Sequence, residues 1–373
     1  MQKPRLLMMG GFLGAGKTTA MARAARSYLD RGCRVGLVTN DQSYDLVDTE
    51  SLRAQGFDVG EVPGACFCCK FDDLISTLTR FASDQRPDVI IAEPVGSCTD
   101  LMATVVEPLC HLYADQFEIG PLAVLVKPEH GLKILRENDG GAGFSQKAGY
   151  IFLKQIEEAD IVVVNKIDKL SELVRSELVG LIERRYPDKR ILTASALTGD
   201  GFDEVMTALD EPIRAHAAAL SIDYDIYAAG EAELCWLNCQ ATLKRESGEP
   251  FAIDQMVLDL VRRLAHRFTE CAAAEPAHVK VMGIVDGSWA LANLVSSEDG
   301  PELSCASDTS AASTELIINA RVATDPKTLE TVVRDALQQL SDEMDGGVAV
   351  ATLHCFRPAR PQPTHRILDR EHR

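Results

Sequence analysis

Two short stretches hold residues whose types and spacing could do chemistry. "GGFLGAGKTT" (10–19) contains G-x-x-x-x-G-K-[ST] as Gly11, Gly16, Lys17 and Thr18, with Gly14 inside the loop and Thr19 after it. Glycines let backbone amides fold around a phosphate, and a helix N-terminus adds a favourable field for an anion. Lys17 would reach the β- and γ-phosphates, and the Thr18 hydroxyl would hold Mg²⁺. The second stretch, "GACFCC" (64–69), places three thiols, Cys66, Cys68 and Cys69, within four residues after a Pro63-Gly64 turn. Thiolates are soft ligands suited to zinc and similar cations. C-x-C-C is not the C-x₂-C of a structural zinc finger, and no second cysteine/histidine pair follows at finger spacing. Two or three thiolates with open positions would make an exchangeable metal site. Redox or packing cysteines are the alternative reading of the same spacing.

Three further motifs belong with the phosphate loop. "NKID" puts Asn165, Lys166 and Asp168 at the end of an apolar run. A carboxylate there accepts from N1–H and the N2 amino group of guanine, whereas adenine would leave it without donors. Ser195 and Ala196 of "SAL" would bring a backbone donor to guanine O6. Together these select GTP over ATP; an ordinary ATPase or kinase is the competing reading. In "DVIIAEPVGSCTD" (88–100), Glu93 ends an apolar run where an acid would hold Mg²⁺ through water, and Gly96 can offer its amide to the γ-phosphate. Lys17, Thr18, Glu93 and Gly96 are therefore the expected catalytic set. Neither an arginine finger nor a glutamine for the attacking water is evident. Intrinsic hydrolysis is expected to be slow, and a partner or a second copy in a homodimer would complete the site.

These motifs need a frame. Apolar runs at 4–10, 34–40, 88–94, 121–127, 159–166 and 190–196 alternate with helical stretches at 17–32, 146–158 and 171–186. Apolar strands separated by helices predict an α/β fold: a mostly parallel P-loop NTPase sheet covered on both faces, with functional loops at the strands' C-terminal ends. The period then changes. Strands at 233–243, 278–285, 314–322 and 347–355 with helices at 254–271 and 326–344 give βαββαβ order, a smaller α+β ferredoxin-like domain. The acidic, Ser-rich stretch 296–313 reads as a solvated loop between its middle strands. The expected organisation is a nucleotide domain over 1–215, a linker over 216–231, the second domain over 232–357, and a Pro-rich basic tail over 358–373, extended at least to Thr364.

Of the 373 residues, 46% are hydrophobic and 25% charged, values that allow a sizeable core. The net charge of −18, from 38 basic and 56 acidic residues, argues against nucleic-acid or anionic-membrane binding. No apolar run is long enough to span a membrane. The start mimics a signal peptide, but its glycines and Lys17 break the apolar run. Eleven cysteines in such a chain read as reduced thiols of a cytoplasmic protein.

In this order, "GFLGAGKTT", "GACFCC", Glu93-x-x-Gly96, "NKID" and "SAL" resemble the CobW-type metallochaperone GTPases, relatives of the GTPases that insert nickel into hydrogenase and urease. The resemblance spans nearly the whole nucleotide domain. It implies GTP hydrolysis with Mg²⁺, a divalent metal (Zn²⁺ or Co²⁺) on Cys66, Cys68 and Cys69, and delivery to a client metalloenzyme or cobalamin-pathway protein. A GTP-dependent folding or repair chaperone without metal carriage is the second function class. The chain departs from the family pattern in places. "NDQSYD" keeps Asn40 but puts Asp41, a shorter candidate metal ligand, where Glu is usual. "VKPEHG" (126–131) stands where an Asp is expected. The eight histidines form no tract, and Cys98 lies near the phosphate site as either an added ligand or a packed thiol.

Overall fold

The computed structural model describes residues 3–42, 47–136, 145–212, 220–271, 274–297 and 300–368. The chain divides into two compact units, one of residues 1–42, 57–230 and 360–373, the other of 43–56 and 231–359.

The first unit carries β1 (Arg5–Gly11), α1 (Lys17–Asp30) and β2 (Val35–Asn40), all as apolar or amphipathic as expected. After α2 (Val47–Ala54), which belongs to the second unit, come β3 (Val59–Val62), α3 (Phe71–Asp84) and β4 (Val89–Glu93). A π-helical turn, Met102–Val106, leads into α4 (Glu107–Leu112). Then follow β5 (Glu118–Val126), α5 (Pro128–Arg136), α6 (Gln146–Glu158), β6 (Ile161–Val164), α7 (Glu172–Arg185), β7 (Arg190–Thr193), α8 (Phe202–Asp210) and α9 (Tyr224–Glu231).

Among the described residues the seven strands form one parallel sheet in the order β3-β2-β4-β1-β5-β6-β7. The central strands are buried on both faces, which is why they read as continuous apolar runs rather than alternating ones. Register does the positioning. Met8 lies opposite Ala92, Thr39 opposite Glu93, and Asn40 opposite Val62. The segments leaving β1, β4, β2 and β3 therefore emerge side by side at one sheet edge, and these are the phosphate loop, Glu93, Asn40 and the thiol loop.

The second unit is a six-stranded antiparallel sheet of order β12-β11-β10-β14-β8-β15. Its βαββαβ frame is β8 (Leu234–Arg245), α10 (Ile253–Glu270), β10 (Glu275–Val285), β14 (Ser313–Ala323), α11 (Pro326–Glu343) and β15 (Gly346–Phe356). The order β10-β14-β8-β15 is the ferredoxin-like arrangement. Apolar faces of α10 and α11, including Val257, Leu260, Leu264, Val333 and Leu337, form its core with the sheet.

Several expectations need correction. The edge strand β3 was not legible as a strand. The stretch 296–313 is not simply a solvated loop: Glu302–Cys305 is β12, paired to β11 (Ser288–Leu294), while Ser310–Ala311 is β13, paired to β9 (Phe251–Ala252). The hairpin arises because alternating "SWALANL" extends the sheet past β10 and offers an edge for a short partner. The expected linker 216–231 contains helix α9, whose Tyr227 is buried in the nucleotide unit. Residues 216–219 of that expected linker, and 213–215 before it, lie outside the described residues. The tail is extended as anticipated, but it is fastened to the nucleotide unit and not free. Helix α2 packs on the ferredoxin-like sheet through Val47, which meets Met282, Leu291 and Ile317; its Asp48 pairs with Lys280 and the Val47 amide donates to Asn319 Oδ1 at 2.8 Å.

Candidate functional site

The phosphate loop is built mainly from backbone. Gly16, the residue before α1, has φ 87° and ψ 28°, a left-handed conformation that L side chains avoid. A Cβ there would also lie 2.6 Å from the Asn165 amide nitrogen. Lys17 is buried, with Nζ 3.9 Å from Glu93 Oε1, and the Thr18 hydroxyl donates to the same oxygen at 3.3 Å. A hydroxyl and a carboxylate oxygen this close suit a hard cation such as Mg²⁺. A Cβ on Gly96 would stand 3.0 Å from Lys17 Nζ and 2.9 Å from Leu13 Cδ2, so the loop after β4 runs hard against the phosphate lysine.

The N-K-x-D turn and the "SAL" loop are brought together by hydrogen bonds that spacing does not reveal. Asn165 is buried and braces two loops: its Nδ2 donates to the Ala15 carbonyl at 2.8 Å, and its Oδ1 accepts from the Ala196 amide at 2.9 Å. Lys166 adopts φ 60°, and Asp168 is exposed. Ser195 is buried, and its Oγ accepts from the Thr198 amide at 3.1 Å. Arg23 of α1 was not anticipated. Its guanidinium donates to the carbonyls of Ala196 and Leu197 at 2.5 and 2.6 Å and ties the "SAL" loop to the helix that begins at the phosphate loop.

The thiol loop is held by side chains. Asn40 Nδ2 donates to the carbonyls of Val62 and Ala65, both at 2.7 Å, while its Oδ1 accepts from the Phe67 amide at 2.8 Å. One buried amide thus fixes the path from β3 into the cysteines. The amides of Cys69 and Lys70 both donate to the Cys66 carbonyl at 3.0 Å, making a turn that opens α3. The sulfurs lie 3.0 Å (Cys66 to Cys68), 3.3 Å (Cys66 to Cys69) and 3.8 Å (Cys68 to Cys69) apart. Cys66 and Cys68 are buried and Cys69 is half-buried. At Zn–S bonds of about 2.3 Å, a tetrahedral ion spaces its sulfurs about 3.8 Å apart, so capture asks for outward shifts of under about 1 Å. The donor set fits a soft or borderline divalent ion. Asp41 is not among the ligand atoms that lie within 4.8 Å of one another, which are those of Cys66, Cys68 and Cys69.

The thiols share their protons unequally. Hydrogen bonds from Cys68, then Cys69, then Cys98 hold the Cys66 thiol well below its ordinary range. The same bond to Cys66 pushes Cys68 up, and pushes Cys69 up to about 11.

The tail crosses this loop. The Gln362 amide donates to Cys69 Sγ at 3.1 Å and the Thr364 amide to the Cys68 carbonyl at 2.8 Å. His365 meets Phe71 edge to face at 4.9 Å, Arg366 donates to Asp100 at 2.6 Å, and the Ile367 amide donates to the Ala103 carbonyl at 2.9 Å. No sequence pattern signalled this strap, because each contact is tertiary.

A parallel sheet that ends in a phosphate loop, an acid on the neighbouring strand and an N-K-x-D turn defines a P-loop nucleotide-binding protein of the guanine-reading kind. The model of the CobW/HypB/UreG nucleotide-binding domain matches residues 5–192, and the chain belongs to that family of P-loop GTPases. Zinc-regulated GTPase metalloprotein activator 1 of Dictyostelium discoideum is 23% identical over 235 residues, 52% of this chain and 46% of that protein. Zinc chaperone YeiR of Escherichia coli is 28% identical over 207 residues, 53% of this chain and 57% of that protein. Urease accessory protein UreG of Metallosphaera sedula is 28% identical over 219 residues, 54% of this chain and 92% of that protein. The chain spans about half the length of the first two. No helix among the described residues is long and apolar enough to cross a membrane.

Proposed function

We propose that this protein binds and hydrolyses GTP and carries a divalent cation, Zn²⁺ or Co²⁺, as cargo on Cys66, Cys68 and Cys69 for delivery to a client metalloprotein. The observation that carries the reading is three mutually bonded thiols on the segment leaving β3, at the same end of the parallel sheet as the phosphate loop that leaves β1, with β2 and β4 between them. Lys17 and the loop amides would bind the β- and γ-phosphates, and Thr18 and Glu93 would hold Mg²⁺, which neutralises phosphate charge when bound. Gly96 would present its amide to the γ-phosphate. Asp168 would read guanine, with Ser195 and Ala196 closing over the base. Each thiol that joins the cargo ion gives its proton to solvent, so uptake should strengthen with pH until the thiols are ionised. The chain's similarity to a zinc-regulated metalloprotein activator and a zinc chaperone favours zinc as cargo and a metalloprotein as client.

Equilibrium dialysis of reduced protein against Zn²⁺ or Co²⁺ tests cargo binding. Cys66→Ala or Cys68→Ala should weaken it by more than about tenfold. Parallel titrations with GTP and ATP test the base assignment. Wild type should prefer GTP and Asp168→Asn should lose that preference, whereas equal wild-type affinities would reject it.

A further inference from the structure

The three sulfurs of the thiol cluster are not equally open. Cys66 and Cys68 are 3% and 1% exposed, and Cys69 alone of the three is half-buried. An ion entering or leaving therefore passes Cys69. The segment 361–368 lies across that side. Its Pro361 is buried, and Pro363, His365 and Ile367 are half-buried. They alternate with exposed Gln362, Thr364, Arg366 and Leu368, the period of an extended strip lying on a surface. One end of the strip sits on the cluster, where the Gln362 amide meets Cys69 Sγ and the Thr364 amide meets the Cys68 carbonyl. The other end is fastened to the segment after β4. Arg366 donates to Asp100 Oδ2 at 2.6 Å, and the Tyr224 hydroxyl donates to the same oxygen at 2.8 Å. The guanidinium also lies 5.5 Å from the centre of the Tyr224 ring. Asp100 itself is 1% exposed.

We propose that segment 361–368 is a gate over the metal cluster, latched by Arg366 on Asp100, which opens to let the cargo ion in or out. The inference rests on the metal-carrier reading and deepens it. The wall beneath the strip is rigidly framed. Buried Gln155 of α6 donates to the carbonyls of Gly96 at 3.0 Å and Cys98 at 2.8 Å, and Glu158 accepts from the Thr99 hydroxyl at 3.2 Å and the Met102 amide at 3.1 Å. The strip has no such frame. It is held by a few polar contacts near water, the mark of a segment that opens locally before the fold does. An N–H bond to sulfur leaves the remaining lone pairs for a metal, so the strip can close over an empty cluster and over a loaded one. Opening the latch leaves the buried Asp100 carboxylate with the Tyr224 hydroxyl and without its cation, which draws the strip back. A gate of this kind slows uptake and release alike and leaves their ratio nearly unchanged. A plain fastening of the loaded cluster slows release alone.

Stopped-flow mixing of the full-length, reduced protein with Zn²⁺ and a zinc-responsive chelating dye reads uptake and release separately. Arg366→Ala should quicken both by at least about tenfold, the worth of a hydrogen bond between charged groups, while equilibrium affinity moves by less than about threefold. Arg366→Lys keeps the charge and should recover part of the slowing. Thr364→Pro removes one N–H at an exposed position of a strip already rich in proline, and should quicken both rates by about three- to tenfold. It leaves the Arg366 latch intact, so the gate can be judged even where Arg366→Ala does not fold. Quicker release with unchanged uptake makes the strip a fastening and overturns the gate, and so do rates unchanged in both directions. Zinc held by the cysteines but indifferent to Arg366 and Thr364 overturns the gate alone and leaves the carrier standing. If the unaltered protein takes up no zinc, or Cys66→Ala leaves its affinity unchanged, the carrier reading fails and the gate falls with it.

Discussion

The phosphate end and the thiol end leave β1 and β3 at the same end of one sheet, with β2 and β4 between them, and they are held in opposite ways. At the phosphate end the geometry belongs to consecutive residues: a glycine with φ 87°, a helix start, and a lysine and threonine that follow directly. At the thiol end it belongs to side chains and amides from remote segments. Asn40 makes three bonds, and Gln362 and Thr364 one each. An anion held by backbone dipoles needs no moving part. A cargo that must be released needs a site that can be loosened piece by piece, and the thiol end has separable fastenings.

Lys17→Ala should give the largest effect and the cleanest separation of the two ends. Hydrolysis of GTP should fall by at least about 100-fold. Zinc binding without nucleotide should keep its wild-type strength, because the hydrogen bonds described for the thiol loop run through Asn40, Gln362 and Thr364. A matched loss of zinc binding would erase the distinction between the ends.

Asn40→Ala attacks the other end. It strands two carbonyls and one amide in a buried turn, and should cost about 3 kcal/mol in denaturant unfolding at the usual penalty for unmet buried groups. Zinc affinity should fall with it. A variant as stable as wild type would mean that the thiol loop holds its own shape.

Glu158 sharpens the account of the loop between the two ends. It accepts from the Thr99 hydroxyl and the Met102 amide, and burial pushes its carboxyl from 4.5 up to about 8. The folded pKa lies above the unfolded one, so the stabilising contribution is complete below about pH 4.5. It is lost progressively as pH rises to about 8 and changes no further above that. Glu158→Gln should flatten this slope and be more stable than wild type at pH 8, read from unfolding curves across that window. An unchanged slope would place the titration elsewhere.

Gln362→Pro is the smallest and most selective break. It removes one N–H from Cys69 Sγ within an extended Pro-rich segment that tolerates proline. Release of zinc to a chelator should quicken by about three- to tenfold, the worth of a single hydrogen bond. An unchanged rate would make the strap a bystander.

The same contrast explains what could be read in the sequence. The phosphate loop, Glu93 and the N-K-x-D turn were legible because their chemistry is contiguous and follows apolar strands. The βαββαβ order was legible because α10 and α11 are long and amphipathic. Four-residue β3, "VGEV", was too short and too polar to stand out, and its identity comes from pairing with β2. The helix over Tyr224–Glu231 was hidden by its length and its Ala-Ala-Gly content; tertiary packing of Tyr227 stabilises it. Asn40 was visible as a residue but not as a brace, since its partners Val62, Ala65 and Phe67 lie more than twenty residues ahead. Gln155 looked like any polar residue of an amphipathic helix.

A carrier that loads and releases its cargo with the nucleotide cycle requires the thiol end to tighten when the phosphate end is occupied. A chelator competition titration of the reduced protein with zinc tests it most directly, run with a nonhydrolysable GTP analogue, with GDP, and without nucleotide. The account predicts zinc affinity at least about tenfold higher in the triphosphate state than in the other two, a linkage of about 1.4 kcal/mol. Equal, weak affinity in all three states would contradict it.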